Sequence, residues 1–106
     1  MKTTKNNIIK NINKIIKNYG TFNLGEVEGA EGICINEMGG LVALAEGFDT
    51  NVVEANVYEP SSFSSDAIET YNVKYEDLHI EILKEILFVA EMYEADQLKT
   101  IKRISN

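Results

Sequence analysis

Covalent catalysis requires a nucleophile, a base within reach of it and a group that orients the base. This chain of 106 residues has one histidine and one cysteine from which to build such a set. His79 stands beside Glu76, Asp77 and Glu81, so a carboxylate could orient its imidazole as a general base. The same place, at the start of a helix, also suits an ordinary half-exposed histidine, and that is the reading adopted. Cys34 lies between Ile33 and Ile35 with Glu31 and Glu37 close in sequence, and nearby negative charge disfavours the thiolate that a nucleophilic cysteine needs. Neither residue is expected to be catalytic.

Phosphate and metal chemistry find little more. Glycines 25, 29, 32, 39 and 40 follow neither the G-x-G-x-x-G nor the Walker spacing. Glu26, Glu28 and Glu31 are interleaved with the first three and would repel a phosphate held on backbone amides. These glycines are read as turns. Asp49, Asn51 and Glu54 come nearest to a calcium loop, but the spacing lacks the third oxygen ligand and the glycine at the sixth position. Scattered, solvated acids account for them. The expectation is therefore no catalytic residue, no cofactor and no metal.

Two surface patterns remain. Lys10, Lys14 and Lys17 fall on one side of an amphipathic segment and could touch phosphates, although no arginine or aromatic is interleaved with them. That helix with Gly20-Thr21-Phe22 resembles the opening of a winged-helix domain, yet a glycine-rich acidic stretch follows where a recognition helix belongs. A solvated face drawn to an acidic body is the preferred reading. Phe88 and Met92 are one helical turn apart, opposite Leu83 and Ala90 and among Glu81, Lys84 and Glu85. Either they form a contact surface for a partner or a second copy, or the other helix or the 61–66 loop covers them.

The elements that must position these residues follow from periodicity. Over residues 4–19, Ile8, Ile9, Ile12, Ile15, Ile16 and Tyr19 share an arc of roughly 120°, with Thr3 or Thr4 to cap the start and Gly20 to end the helix. Its five asparagines are poor helix formers, so packing of the isoleucines must hold it. Alternation then marks strands around Phe22 and Leu24, at 32–37, at 41–46 and at 52–58, with turns at Gly39-Gly40 and Asp49-Thr50-Asn51. Leu41 to Glu46 would also suit a short helix. Pro60 and the serines at 61, 62, 64 and 65 make a loop, and Asp66 with Glu69 has the spacing of a capping box, predicting a helical turn through 66–71. A final helix runs from about Leu78, capped by Asp77, with Ile82, Leu83, Ile86, Leu87, Val89, Ala90 and Tyr93 on one face; Glu94 inside that arc hints at a break. The predicted architecture is α+β, α-β-β-β-β-α, with an antiparallel sheet of three or four strands and both helices on one face of it.

Composition bounds the rest. The 44% hydrophobic and 25% charged content is that of a folding chain, and the length predicts a single domain over 1–106. No continuous apolar run suits a signal peptide or a membrane span, so a cytoplasmic protein is expected. The net charge of −7 is unevenly spread, with five lysines and no acid in residues 1–20 but all seventeen acids against Lys74 and Lys84 in residues 21–98.

The run from Met38 to Phe48, Met-Gly-Gly-Leu-Val-Ala-Leu-Ala-Glu-Gly-Phe, together with the run from Val57 to Asp66, resembles a group of short acidic proteins encoded by gut Bacteroides and their mobile elements. The resemblance implies an accessory protein of such an element or its host and carries over no functional residues. The Asn, Ile and Lys richness of residues 6–18 fits AT-rich codons as well, and needs no functional reason.

These readings converge on a non-catalytic protein-interaction or regulatory module acting through Phe88, Met92, Glu81 and Glu85. One alternative is an acidic inhibitor, either a nucleic-acid mimic or a nuclease immunity protein, which would gather its carboxylates into one patch. The other is a nucleic-acid accessory protein using Lys10, Lys14 and Lys17.

Overall fold

The isoleucine stripe of the N-terminal segment decides its structure. In the computed structural model, which describes residues 4–59 and 67–105, Lys5–Tyr19 forms helix α1. The Thr4 hydroxyl accepts the Asn7 N–H at 3.2 Å and so caps one of the amides that a helix start leaves unpaired. Gly20, at φ +96°, closes the other end by donating to the Ile16 carbonyl. Ile8, Ile12, Ile15 and Ile16 are buried, which is the apolar face packing against the rest of the molecule.

Among the described residues five antiparallel strands follow: β1 at Phe22–Asn23, β2 at Ile33–Met38, β3 at Leu41–Asp49, β4 at Val52–Tyr58 and β5 at Glu69–Lys74. Strand β3 is the spine, with β4 along one side and β2 and β1 in succession along the other; β5 lies beyond β4. Gly39 and Gly40 both have positive φ, as a two-residue hairpin turn requires, and set Met38 opposite Leu41. The segment 41–46 is strand, and 31–48 holds no recognition helix.

Alternation along β3 puts Ala43 and Ala45 on the core face, and unbroken alternation would send Phe48 outward. A bulge between Ala45 and Gly47 inserts Glu46 and returns Phe48 to the core. With Val53, Ala55 and Val57 of β4, these residues form the sheet's inner face.

Helix α2, Ile80–Ser105, covers that face together with α1, and residues of both helices and the sheet form one buried cluster. Leu83, Ile86, Val89, Ala90 and Tyr93 are its buried members from α2. Phe22 stacks between Phe48 and Tyr93, with ring centroids at 4.9 Å and 4.2 Å, and the Tyr93 hydroxyl donates to the Tyr19 carbonyl at 3.1 Å. This column locks the end of α1 to α2 and the sheet.

Three local expectations are corrected. Residues 69–71, expected to be helical, begin β5, because Tyr71 and Val73 pair with Ala55 and Val53 and sheet pairing outweighs a local capping spacing. Asp77 is not the cap of the last helix, since Tyr75–Asp77 forms a 3₁₀ turn anchored by buried Tyr75 and Leu78, and α2 begins at Ile80. Glu94 does not break α2; the helix is continuous, and among the described residues Tyr93 is the last buried side chain on it. Pro60, the serine loop and Asp66 lie outside the described residues.

Candidate interaction face on the last helix

The four residues expected to meet a partner lie together. Phe88, Met92, Glu81 and Glu85 line a groove of about 630 Å³ between α2 and the loop that enters β2. Phe88 is 66% exposed, the largest value among the exposed large hydrophobic side chains of the described residues. Leu83, five residues earlier, is fully buried, so the helix divides its apolar residues between two opposite faces.

The loop explains the groove's shape. Val27 is buried and anchors it, and Ala30 donates to the Val27 carbonyl at 3.2 Å to close a turn. Gly29, at φ +83°, has its missing Cβ position 3.8 Å from Met92 Cε, so the loop passes over Met92 and leaves it half-buried. Gly32 and Ile33 complete that wall. The loop stops short of Phe88. Glu31, Glu81 and Glu85 supply three carboxylates to the rim, against Lys84 alone, which pairs with Glu81 at 3.3 Å on the exposed helix surface. An apolar floor with an acidic rim can take up an apolar side chain carried on a basic segment. Gly29, Glu31, Gly32 and Ile33 were not foreseen as part of this face, because only the folded loop brings them beside a helix fifty residues later.

The other singled-out residues are dispersed. Lys10, Lys14 and Lys17 are exposed along α1, and among the described residues none of them forms an ion pair with the acidic body. His79 is exposed and acts as a cap: its Nδ1 accepts the Glu81 N–H at 3.1 Å, so the imidazole serves the helix start left without Asp77. Cys34 is exposed on the outer face of β2, where its thiol reaches the Asn36 carbonyl at 3.7 Å. No group of three or more potential metal ligands occurs among the described residues. The carboxylates fall on separate surfaces: Glu31, Glu81 and Glu85 around the groove, Glu46 and Glu54 on the sheet away from the helices.

Burial alters two tyrosines. Tyr75 is fully buried with no hydrogen-bond partner for its hydroxyl among the described residues, and burial, reinforced by the Asp49 carboxylate, raises its pKa well above the usual phenol value. Burial, and then the charge of Glu26, raises that of Tyr93. Both serve packing.

No helix among the described residues is long and apolar enough to cross a membrane. No protein-family model, curated protein or solved structure matches the chain.

Proposed function

We propose that this chain is a non-catalytic interaction module that binds another protein through the Phe88 face of α2 and the loop beside it. The observation that carries the reading is Phe88 itself, 66% exposed at the mouth of a groove whose floor includes Met92. A monomer gains nothing from holding a phenyl ring in water, whereas burying the exposed part in a complex contributes about 1–2 kcal/mol. Aromatic residues and methionine are also the types enriched at interface centres. The acidic rim selects for partners with positive charge around an apolar anchor.

The test begins with a partner purified on the full chain and identified by mass spectrometry, whose affinity is then measured for wild type, Phe88→Ala and a distant control, Lys10→Gln. Phe88→Ala is expected to weaken binding at least about tenfold with an unchanged melting temperature, and Lys10→Gln to leave it intact. Equal affinity for all three would remove the face from the account.

A further inference from the structure

The stripe that carries Phe88 and Met92 continues beyond the body of the molecule. Positions 81, 85, 88, 92, 95, 99 and 102 of α2 recur at alternating steps of four and three, the spacing that keeps one side of a helix turned toward another helix. Glu81, Glu85, Phe88, Ala95 and Lys99 are exposed and Met92 is half-buried; position 102, a lysine, belongs to the stripe by spacing. In sequence the stripe reads acid, acid, large apolar, methionine, small apolar, base, base. Reversed about Met92, each charge meets its opposite and the large residue meets the small one.

We propose that the partner of this face is a second copy of the chain, with α2 packed antiparallel on α2 about a two-fold axis at Met92. This rests on the reading of the Phe88 face as an interaction surface and names its occupant. In the dimer Glu85 faces Lys99 of the second copy and Phe88 packs over Ala95, with the two-fold axis passing beside Met92 and the loop that half-covers it. A two-fold contact must be self-complementary, and this order satisfies that at every step.

Three further observations favour a second copy. No described residue of α2 after Tyr93 is buried, and Ala95, Asp96, Leu98, Lys99 and Thr100 are exposed, so about two turns past the core offer one side to a second helix. Those turns lead into Lys99, Lys102 and Arg103, the cations that the acidic rim of Glu31, Glu81 and Glu85 calls for. A continuous helix cannot fold back on itself, so within one molecule the basic end never reaches the acidic groove. Gly29 and Gly32 also leave the loop wall without side chains where the second helix would lie, and a Cβ at Gly32 would meet open space. One feature opposes association: Glu91 flanks the axis and faces its own symmetry mate.

Sedimentation equilibrium of the full chain tests this. Wild type is expected to dimerise at or below about 100 µM and to weaken as salt rises. Glu85→Lys and Lys99→Glu each set like charges together twice per dimer and should weaken self-association at least about tenfold. An equimolar mixture of the two variants restores both opposite-charge pairs and should recover wild-type affinity as a heterodimer. Glu91→Gln should tighten the dimer. All three positions are exposed, and circular dichroism verifies that the variants fold. A wild type that stays monomeric, or a mixture no tighter than its components, overturns the second copy. If monomeric wild type still loses a host partner on Phe88→Ala, the interaction face stands and only its occupant is wrong. A dimer indifferent to both the charge changes and Phe88→Ala uses another surface, and both readings fall.

Discussion

Asn13 is a residue whose role its composition concealed. Its side chain donates to the Asn51 side-chain oxygen at 2.7 Å and accepts the Asn51 backbone N–H at 2.8 Å, tying α1 to the turn between β3 and β4. Asn51 holds φ +65°, a left-handed conformation that asparagine tolerates better than most residues. The asparagine richness of this helix needs no functional reason as a whole, but this asparagine has a structural one. Asn13→Ala is expected to lower stability by about 0.5–1 kcal/mol, because the lost hydrogen bonds outweigh the gain in helix propensity. Asn51→Ala should cost more, since it adds backbone strain, and urea denaturation of both with the double variant will show the coupling. Tyr75 yields a pH prediction. Its phenol stays protonated in the folded chain at pH values where the unfolded chain releases the proton, so stability is unaffected below about pH 10 and falls above it. Tyr75→Phe removes this part of the alkaline loss and also removes a buried hydroxyl without an acceptor, so it should be neutral or stabilising at pH 7 and flatter above pH 10. Denaturant titrations from neutral to alkaline pH decide it.

The two helices and the hairpin from β2 to β4 were legible in the sequence because each carries a strong period or an unambiguous turn: the isoleucines of α1, the Gly39-Gly40 pair, the alternating valines of β4. Strand β5 was not, because only Tyr71 and Val73 face the core and their partners lie on β4, information no local window holds. The bulge at Glu46 was hidden for the same reason, since it is defined by register against β4. The exposed side of α2 was legible as far as the pair Phe88 and Met92, but its groove is made by a loop that periodicity cannot place. The division of α2 into two faces predicts opposite responses to truncation. Leu83→Ala should cost about 2–5 kcal/mol, as expected for a fully buried leucine. Phe88→Ala should change the stability of the monomer by no more than about 0.5 kcal/mol. Thermal melts of the two variants at low protein concentration separate the outcomes, and a core-like loss at Phe88 would contradict its exposure.

At the scale of the molecule, charge and shape set what can approach. Seventeen acids against two lysines between residues 21 and 98 make a strongly negative body, with Lys10, Lys14 and Lys17 displayed on one helix. A duplex approaching the lysines is repelled by the remainder, so binding no tighter than the non-specific range of about 10⁻⁴ to 10⁻⁶ M is expected at physiological salt. Fluorescence anisotropy with labelled duplex, repeated on a Lys10, Lys14, Lys17 triple glutamine variant, checks this; tight, salt-sensitive binding abolished in the variant would reverse it. The molecule is long and thin, 49 × 35 × 18 Å, and α2 extends past Tyr93, the last buried side chain among the described residues. Backbone hydrogen bonds in those turns can open without disturbing the core. In dilute solution, deuterium should therefore enter the amides of residues 96–100 nearly as fast as in a free helical peptide, long before it reaches those of Leu83 and Ile86. Any protein concentration that slows the first set without altering the second is one at which another molecule has come to lie along that end of the helix.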